Sequence, residues 1–377
     1  MDKKKVVILT LPLENNYGGL AQAYALQKVI VSLGFDVETD RNACKNKTWK
    51  NNFLWCYLPV RYKLLEMQGR KPLTPKRRKK RWKNLISFVE RNIKTVDFFR
   101  GRNHPSTINI KKYDIFVVGS DQVWRKEYVR VQSYFLDFLK NHQCKKIAYA
   151  ASFGKDNIEE WSDEDRIVAE LLLPKFDTIS VREKSGVEIL NNEFGIKSSL
   201  VLDPTMLLTK DDYLKIDNID SIPPKNKLLY CYIMDLTEDK IKLINHIKEE
   251  MSLNEMLFIS PKMEQIDKNL SDDFVYPSMA EWLSGFRDAD FVFTDSFHGT
   301  VFSILFNKQF VCYCNESRGL SRFQSLYEVI GLKGRMIFNS QEYDKAIESE
   351  IDYCEVNKIV SNLRSDSLAF LAKGLYA

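Results

Sequence analysis

The sequence has few histidines and no unbroken apolar stretch long enough to cross a bilayer. Only 4 of the 377 residues are histidine, so a histidine in a polar loop is informative. A spanning helix needs roughly 20 mostly apolar residues. The first apolar segment, Val6–Leu11, is short, is followed by Pro12 and lacks the small-residue cleavage site of a signal peptide, which predicts a first β-strand instead. These absences favour a cytoplasmic protein.

Cysteine patterns and the common nucleotide-binding motifs are also missing. The 7 cysteines have no metal-ligand spacing, and the closest pair, Cys312 and Cys314, lies in an apolar run, so reduced thiols are expected. Walker A and GxGxxG motifs are absent. The run Asp288-Ala289-Asp290 matches a pattern with which some sugar transferases hold a metal, but it precedes a strand. That is the wrong side of a sheet, and we predict no metal site.

The remaining composition is typical of a globular α/β protein. The chain is 44% hydrophobic and 28% charged, with a net charge of +5. Its length favours two domains, and strands alternate with helices, which predicts two Rossmann-like, doubly wound domains. The predicted parts are an N-terminal domain over 1–210 with a basic insertion at about 44–109, a C-terminal domain over 225–340, and a helical tail over 341–377. One interpretation is that the tail packs back on the N-terminal domain.

The most informative stretch is Asp290–Thr300, an apolar strand that ends in a polar cluster and a glycine before a second apolar run. Ligands of open α/β sheets bind at the carboxyl ends of strands, and a helix N-terminus attracts anions. His298 is therefore a candidate catalytic residue. The alternative is that it caps the helix or satisfies a buried carbonyl. The neighbouring candidates are Asp295 for catalysis and Ser296 and Gly299 for substrate binding.

A second polar strand end follows the first strand of the chain. The glycine-containing loop there precedes a helix, a layout that brings backbone N–H groups to an anion. The alternative is a plain turn. The candidate anion- or acceptor-binding residues of this loop are Asn16, Tyr17, Gly18 and Gly19.

Two further strands end in charged residues. Asp121 follows the strand Tyr113–Val118 and is a candidate base or hydroxyl ligand, with a helix cap or Asx turn as the alternative. Arg182 follows Thr178–Val181, where its planar guanidinium suits a carboxylate or phosphate. The alternative for Arg182 is a salt bridge with Glu183 or another neighbour.

The segment Arg70–Lys83 is strongly basic and contains Trp82. It reads as the solvated start of a helix, or as a patch that binds an anionic membrane surface, where each basic residue contributes roughly 1 kcal/mol. Nucleic-acid binding is the third interpretation and would rest on this segment alone, because nothing else in the chain resembles a base-reading module. We therefore expect no nucleic-acid partner.

Taken in order, these pieces resemble the polysaccharide pyruvyl transferase family from about Val6 to Arg335. No single piece is specific, but the ordered set is. The matching pieces are Asn15–Gly19, Val118–Trp124, Ser180–Glu183, Leu202–Thr205, Asp295–Gly299 and the Arg322-to-Gly331 helix. The resemblance implies a glycosyltransferase-B-like arrangement with the active site in the interdomain cleft. It also implies an essential His298 and a donor-binding Arg182.

One position departs from the family. Some members carry arginine two positions before the histidine, where this chain has Ser296. Arg322 and Arg318 are our own candidates for that missing contact.

The resemblance implies phosphoenolpyruvate as donor and a sugar as acceptor, with a pyruvate ketal and phosphate as products, and no cofactor. Protonation of the methylene carbon leaves a cation-like centre that a hydroxyl attacks. His298 is the best available proton donor, and Asp121 or Asp295 would orient or deprotonate the acceptor.

The expected acceptor is a hexose, such as galactose, in a bacterial cell-surface polysaccharide precursor. A lipid-linked precursor would place the protein at the inner face of the membrane. The alternative function is a glycosyltransferase with a nucleotide-sugar donor.

Overall fold

The computed structural model describes residues 3–42, 61–63, 67, 73–99, 105–139, 142–217, 219–267, 269–315 and 319–377. Within these ranges two parallel sheets follow one another along the chain, each flanked by helices. All strand pairs are parallel. The arrangement confirms the predicted α/β fold class.

The first sheet has seven strands in the order β3-β2-β1-β4-β5-β6-β7. Its strands are β1 Lys5–Leu9, β2 Asp36–Asp40, β3 Thr95–Val96, β4 Ile115–Val118, β5 Lys145–Ala151, β6 Thr178–Val181 and β7 Ser199–Leu200. The order reverses after β3, as in doubly wound folds. Every residue of β4 is buried, as expected for a parallel strand covered on both faces.

The helices around the first sheet include one long helix and several short ones. They are α1 Tyr17–Ser32, α2 Pro75–Arg81, α3 Lys83–Asn92, α4 Thr107–Lys111, α5 Val131–Tyr134, α6 Asp163–Leu172, α7 Lys184–Phe194 and α8 Lys210–Tyr213. The strand β3 lies inside the segment predicted as an insertion. The end of that segment is therefore part of the sheet.

The second sheet has five strands in the order β12-β11-β10-β8-β9. Its strands are β8 Leu228–Tyr232, β9 Glu255–Ile259, β10 Ala289–Thr294, β11 Gln309–Tyr313 and β12 Met336–Ile337. The helices of this part are α9 Glu238–Glu250, α10 Met263–Ile266, α11 Met279–Asp288, α12 Phe297–Leu305, α13 Ser321–Val329 and α14 Tyr343–Ile347.

The two sheets share a hydrophobic core. One cluster of buried side chains contains Ile8 and Tyr17 from the first part and Tyr232, Trp282 and Phe302 from the second. The ring of Tyr17 stacks on Trp282 with centroids 5.6 Å apart. Burial of large aromatic rings is a major source of interface stability. These buried rings therefore hold the two sheets together beneath the cleft.

The last helix, α15 Tyr353–Tyr376, lies against the first sheet. Ser367 accepts a hydrogen bond from the backbone N–H of Leu202 at 3.0 Å, and Arg364 donates to the carbonyl of Met206 at 2.7 Å. The tail thus returns to the N-terminal part of the chain.

The basic helix α2 docks on the second part of the molecule, although Arg70 itself lies outside the described residues. Arg81 is buried and pairs with Glu264 at 3.2 Å, Lys80 pairs with Asp273 at 2.6 Å, and Arg77 pairs with Asp272. Trp82 is only 8% exposed. The Trp82 ring is therefore packed inside the protein, and a membrane surface would meet the basic side chains of the segment instead.

Candidate active site

A cavity of about 600 Å³ lies where the carboxyl ends of the two sheets face each other. This volume is in the usual range for a small-molecule site. Both halves of the chain contribute to its walls. Six of the residues predicted from the sequence line it, namely Asn16, Asp121, Asp295, Ser296, His298 and Arg322.

Arg182 lies at the centre of a buried ion-paired cluster. Its guanidinium donates to Asp203 at 2.6 Å and to Asp121 at 2.8 Å, and all three side chains are at most 4% exposed. Arg182 lines a smaller neighbouring cavity of about 290 Å³ together with Asp203. A direct clamp on a donor would require one of these carboxylates to give way.

The charges of this cluster set the pKa values of its carboxyl groups. Burial alone would raise the pKa of Asp121, but the opposing effect, chiefly that of the charge of Arg182, outweighs it and lowers that pKa. Burial is likewise outweighed at Asp203, chiefly by Arg182. Both groups are ionised at neutral pH. A carboxylate with a lowered pKa is a weak base, so orienting a hydroxyl suits Asp121 better than deprotonating it.

The backbone at Asp121 is in the left-handed region, with a φ of 74°. This conformation costs energy in any residue other than glycine, and such strain is concentrated at functional sites. The carboxyl group thereby comes to the end of β4, next to the cavity.

His298 lies in the first turn of α12 and packs against the start of α1. A methyl group on Gly18 would lie closer than 3.0 Å to the imidazole ring, so glycine is required there. The Nε2 atom lies 3.9 Å from the nearest Asp203 oxygen and makes no hydrogen bond among the described residues. The nitrogen is thus buried beside the cavity, with its hydrogen-bonding capacity unused by the described residues.

Burial lowers the pKa of His298 below the ordinary value of 6.5, even though Asp203 and Asp121 act in the opposite direction. The imidazole of the ligand-free protein is consequently neutral at neutral pH. As a proton donor His298 would first have to take up a proton, which the sequence alone did not indicate.

Arg322 is the cation that the second half of the chain places beside this histidine. It is 7% exposed, and burial together with the like charge of Arg182 lowers its pKa to about 10. Arg182 and Arg322 lie 5.0 and 5.5 Å from the centroid of the Phe297 ring. The Phe297 ring thus lies beside two buried guanidinium groups, of which Arg182 is already ion-paired with Asp121 and Asp203.

The hydrogen bonds that Asp295 accepts indicate a structural role. Its two carboxylate oxygens accept hydrogen bonds from the backbone N–H groups of Met234 at 2.6 Å and Asp235 at 3.0 Å, and from the buried Lys240 at 2.6 Å. Because these three donors occupy the carboxylate, we interpret Asp295 as a residue that positions the loop after β8. A role as catalytic base is not favoured.

The candidate residues at the start of α1 have different roles. Asn16 caps the helix by accepting the N–H of Gly19 at 3.2 Å. Tyr17 is fully buried, and its hydroxyl donates to the carbonyl of Pro277 at 2.7 Å. Tyr17 therefore connects the two halves of the core and does not contact a ligand in the cavity, contrary to the expectation.

The remaining candidates, Ser296, Gly299 and Arg318, also differ in where they lie and what they contact. Ser296 lines the cavity. Gly299 is needed for packing, because a methyl group there would collide with the side chain of Thr294 on β10. Arg318 lies outside the described residues.

Several residues of the site were not among the sequence candidates, including Asp203, Lys240, Asp235 and Lys262. Asp203 follows a short apolar run and precedes a proline, a pattern typical of the end of a strand. The sequence around Lys240 gives no comparable indication of a role. Its partner Asp295 is 55 positions away, so the pair could not be recognised from the sequence.

Potential metal ligands converge outside the cavity walls. His246, Glu250 and Asp344 bring one ligand atom each to within 4.8 Å of one another, but all three are exposed. Asp290 accepts the N–H of Leu228, and Asp288 pairs with Arg287. The two aspartates of the Asp-Ala-Asp run thus have structural partners.

Comparison with known families identifies the chain. The family model for polysaccharide pyruvyl transferase matches residues 16–317. The chain belongs to the polysaccharide pyruvyl transferase family. Membership implies a transferase that acts in polysaccharide biosynthesis, and the matched range includes the cavity residues Asp121 and His298. Comparison with curated proteins gives no match.

Solved structures similar to the chain share its fold at low sequence identity. UDP-GlcNAc 2-epimerase from Neisseria meningitidis, bound to UDP-GlcNAc, is 12% identical over 98% of this chain and 100% of that chain, with a TM-score of 0.53. The Rickettsia bellii UDP-N-acetylglucosamine 2-epimerase is 12% identical over 98% and 96%, with a TM-score of 0.52. The Methanocaldococcus jannaschii enzyme is 13% identical over 93% of both chains, also at 0.52. The expected glycosyltransferase-B arrangement is confirmed.

No helix in the described ranges combines the length and the apolar character needed to span a bilayer.

Proposed function

We propose that this transferase uses phosphoenolpyruvate to place a pyruvate ketal on two hydroxyls of a hexose, such as galactose, in a bacterial cell-surface polysaccharide precursor. The observation that carries the proposal is the convergence of Asp121, His298 and Arg322 on one cavity in a member of this family. Phosphoenolpyruvate presents a carboxylate and a phosphate close together. Arg322 and the N-terminus of α12 would bind these anions. Arg182 would contribute positive charge from the neighbouring ion-paired cluster.

The neutral imidazole of His298 suits a proton relay. In the proposed reaction His298 takes the proton of the first acceptor hydroxyl and delivers it to the methylene carbon, which becomes a methyl group. The acceptor oxygen then bonds to the cation-like C2 that this protonation leaves. The C2–O bond to phosphate breaks, the second hydroxyl closes the ring, and the departing phosphate takes the second proton. Asp121 and Asp203 would stabilise the transient imidazolium.

Ligand-induced stabilisation tests the donor. A ligand at 100 times its dissociation constant adds about 2.7 kcal/mol to the free energy of unfolding, which raises the melting temperature by a few degrees. We expect phosphoenolpyruvate to produce this shift in the wild type but not in Arg322→Gln. The matched control is Arg166→Gln, which removes the same charge from a pair with Glu193 outside the cavity.

UDP is the ligand that distinguishes the rival function. The Neisseria enzyme of the same fold is described with UDP-GlcNAc, so a nucleotide-sugar glycosyltransferase remains the alternative. Stabilisation by UDP and not by phosphoenolpyruvate would reject the pyruvyl transfer and support that alternative.

A lipid-linked acceptor would bring the protein to the inner face of the cell membrane. The exposed side chains of α2 and its flank that would meet anionic lipid are Lys76, Arg78, Lys79 and Lys83. Arg77 and Arg81 already have protein partners and are poor test positions. Lys76→Glu combined with Lys79→Glu should abolish binding to anionic liposomes, and unchanged binding would reject the membrane role.

A further inference from the structure

The strand order of the second sheet fixes the order of polar groups along the cleft. The strands β11, β10, β8 and β9 are consecutive neighbours. Arg322 comes after β11, His298 after β10, Asp235 after β8 and Lys262 after β9. Since neighbouring strands are about 4.8 Å apart, the ends of β8 and β9 lie about 5 and 10 Å from the end of β10. One sugar ring beside the reacting atoms would reach both.

Asp235 and Lys262 form an ion pair in the wall of the cavity. Their charged groups are 2.7 Å apart, and each side chain is 33% exposed. Pairs with this exposure contribute at most about 1 kcal/mol to stability, so the fold does not depend on this pair. It offers hydrogen-bond acceptors on the carboxylate next to donors on the ammonium group. A sugar hydroxyl, which both donates and accepts, matches such a surface.

The two loops that carry this pair are fixed from several sides. The buried carboxylate of Asp295 holds the backbone N–H of Asp235, and Lys240 holds Asp295. On the other loop, the N–H of Lys262 donates to the Ser260 hydroxyl at 3.1 Å. The neighbouring Pro261 carbonyl accepts a hydrogen bond from Asn15 of the first part. A fixed pair can recognise a ligand without first being ordered.

We infer that the ends of β8 and β9 form the acceptor subsite, in which Asp235 and Lys262 hydrogen bond to hydroxyls of the hexose. The inference rests on the proposed function for the identity of the reaction. The anionic donor occupies the other end of the cleft, near Arg322 and His298. Asp235 and Lys262 determine acceptor specificity, and Asp295 and Lys240 position them.

Kinetics with separate donor and acceptor titrations tests the assignment. The variants are Asp235→Asn and Lys262→Gln, assayed by phosphate release from phosphoenolpyruvate with p-nitrophenyl hexosides, including the β-galactoside. We expect the KM for the hexoside to rise about tenfold or more, while the KM for phosphoenolpyruvate stays within about twofold.

The chain offers a matched control at the opposite edge of the same two strands. Lys225 and Glu255 form an exposed ion pair near the amino ends of β8 and β9. Lys225→Gln and Glu255→Gln should leave both KM values unchanged. A hexoside KM that is unaffected by Asp235→Asn and Lys262→Gln, or an equal rise in the KM for phosphoenolpyruvate, would overturn the inference.

Binding of the hexosides without donor separates the two proposals. In saturation-transfer NMR, binding that is lost in Asp235→Asn and kept in Lys225→Gln supports the subsite even if the donor proves to be a different molecule. Equal hexoside binding by all the variants, or none by a wild type that binds phosphoenolpyruvate, contradicts the subsite and leaves the donor assignment intact.

Discussion

Two buried ion-paired groups lie at the carboxyl ends of the two sheets, and they differ in what they hold. In the first sheet Arg182 joins the carboxylates of Asp121 and Asp203. In the second, Lys240 joins Asp295, whose oxygens also bind two backbone N–H groups. The first group adjoins the buried Nε2 nitrogen of His298, which makes no hydrogen bond among the described residues. The second group fixes a loop.

The difference shows how burial and pairing should be interpreted. A buried ion pair is by itself weak evidence for function, since its attraction often only offsets the cost of desolvation. What distinguishes the Arg182 group is that two arginines, a histidine and three carboxyl groups, those of Asp121, Asp203 and Glu183, influence one another's ionisation beside a cavity. Lys240 and Asp295 support the site from outside the reacting atoms.

The largest expected effect is on stability. Arg182→Met would leave Asp121 and Asp203 buried without their cation, and loss of one partner of a buried pair typically costs about 3–5 kcal/mol. Urea denaturation should show this loss. The exposed pair of Arg166 with Glu193 gives the control, because Arg166→Met should cost at most about 1 kcal/mol. A loss from Arg182→Met no larger than that of the control would contradict the interpretation.

A methyl group at Gly18 should damage catalysis. It would displace the imidazole of His298, and misplacement of a catalytic group by about 1 Å can cost roughly 100-fold in rate. We expect kcat of Gly18→Ala to fall by that order. In Gly19→Ala the new methyl group would lie 3.3 Å from Asn16, so a small effect is expected. Equal kcat values for the two variants would argue against a catalytic His298.

The second ion-paired group should be more tolerant of change. Lys240→Met removes the cation from Asp295, but the two backbone N–H donors remain. The expected loss of unfolding free energy is about 1–3 kcal/mol, measured by the same urea denaturation. The hexoside KM should rise as the loop after β8 loosens. A loss as large as that of Arg182→Met would remove the contrast between the two groups.

The smallest effect is a pH dependence of stability. Because the folded-state pKa of His298 lies below 6.5, the unfolded chain binds its proton first as the pH falls. Stability should therefore decrease below pH 6.5 and level off below the folded-state pKa. His298→Gln should lack this component. The carboxyl groups of Asp121 and Asp203 make stability depend on pH only near and below pH 3.8. Parallel stability curves of wild type and His298→Gln between pH 8 and 5 would contradict the burial effect.

The features that could be predicted from the sequence are those that recur along the chain. Apolar strands followed by polar residues indicated the two parallel sheets, and His298 and Asp121 were found because each follows such a strand. Contacts between distant segments could not be predicted in this way. The pairing of Lys240 with Asp295 and the burial of Trp82 against the second part depend on how the sheets meet. Tyr17 was misinterpreted for the same reason, since its partners Trp282 and Pro277 are remote in sequence.

The chemistry of the donor is tested most directly in heavy water. The protein is incubated in D₂O with phosphoenolpyruvate and a p-nitrophenyl galactoside, and the products are analysed by mass spectrometry and NMR. We predict a cyclic ketal whose new methyl group carries one deuterium, formed together with phosphate and lost in His298→Gln. Phosphate release without a modified galactoside, or a ketal that His298→Gln forms at the wild-type rate, would contradict the account.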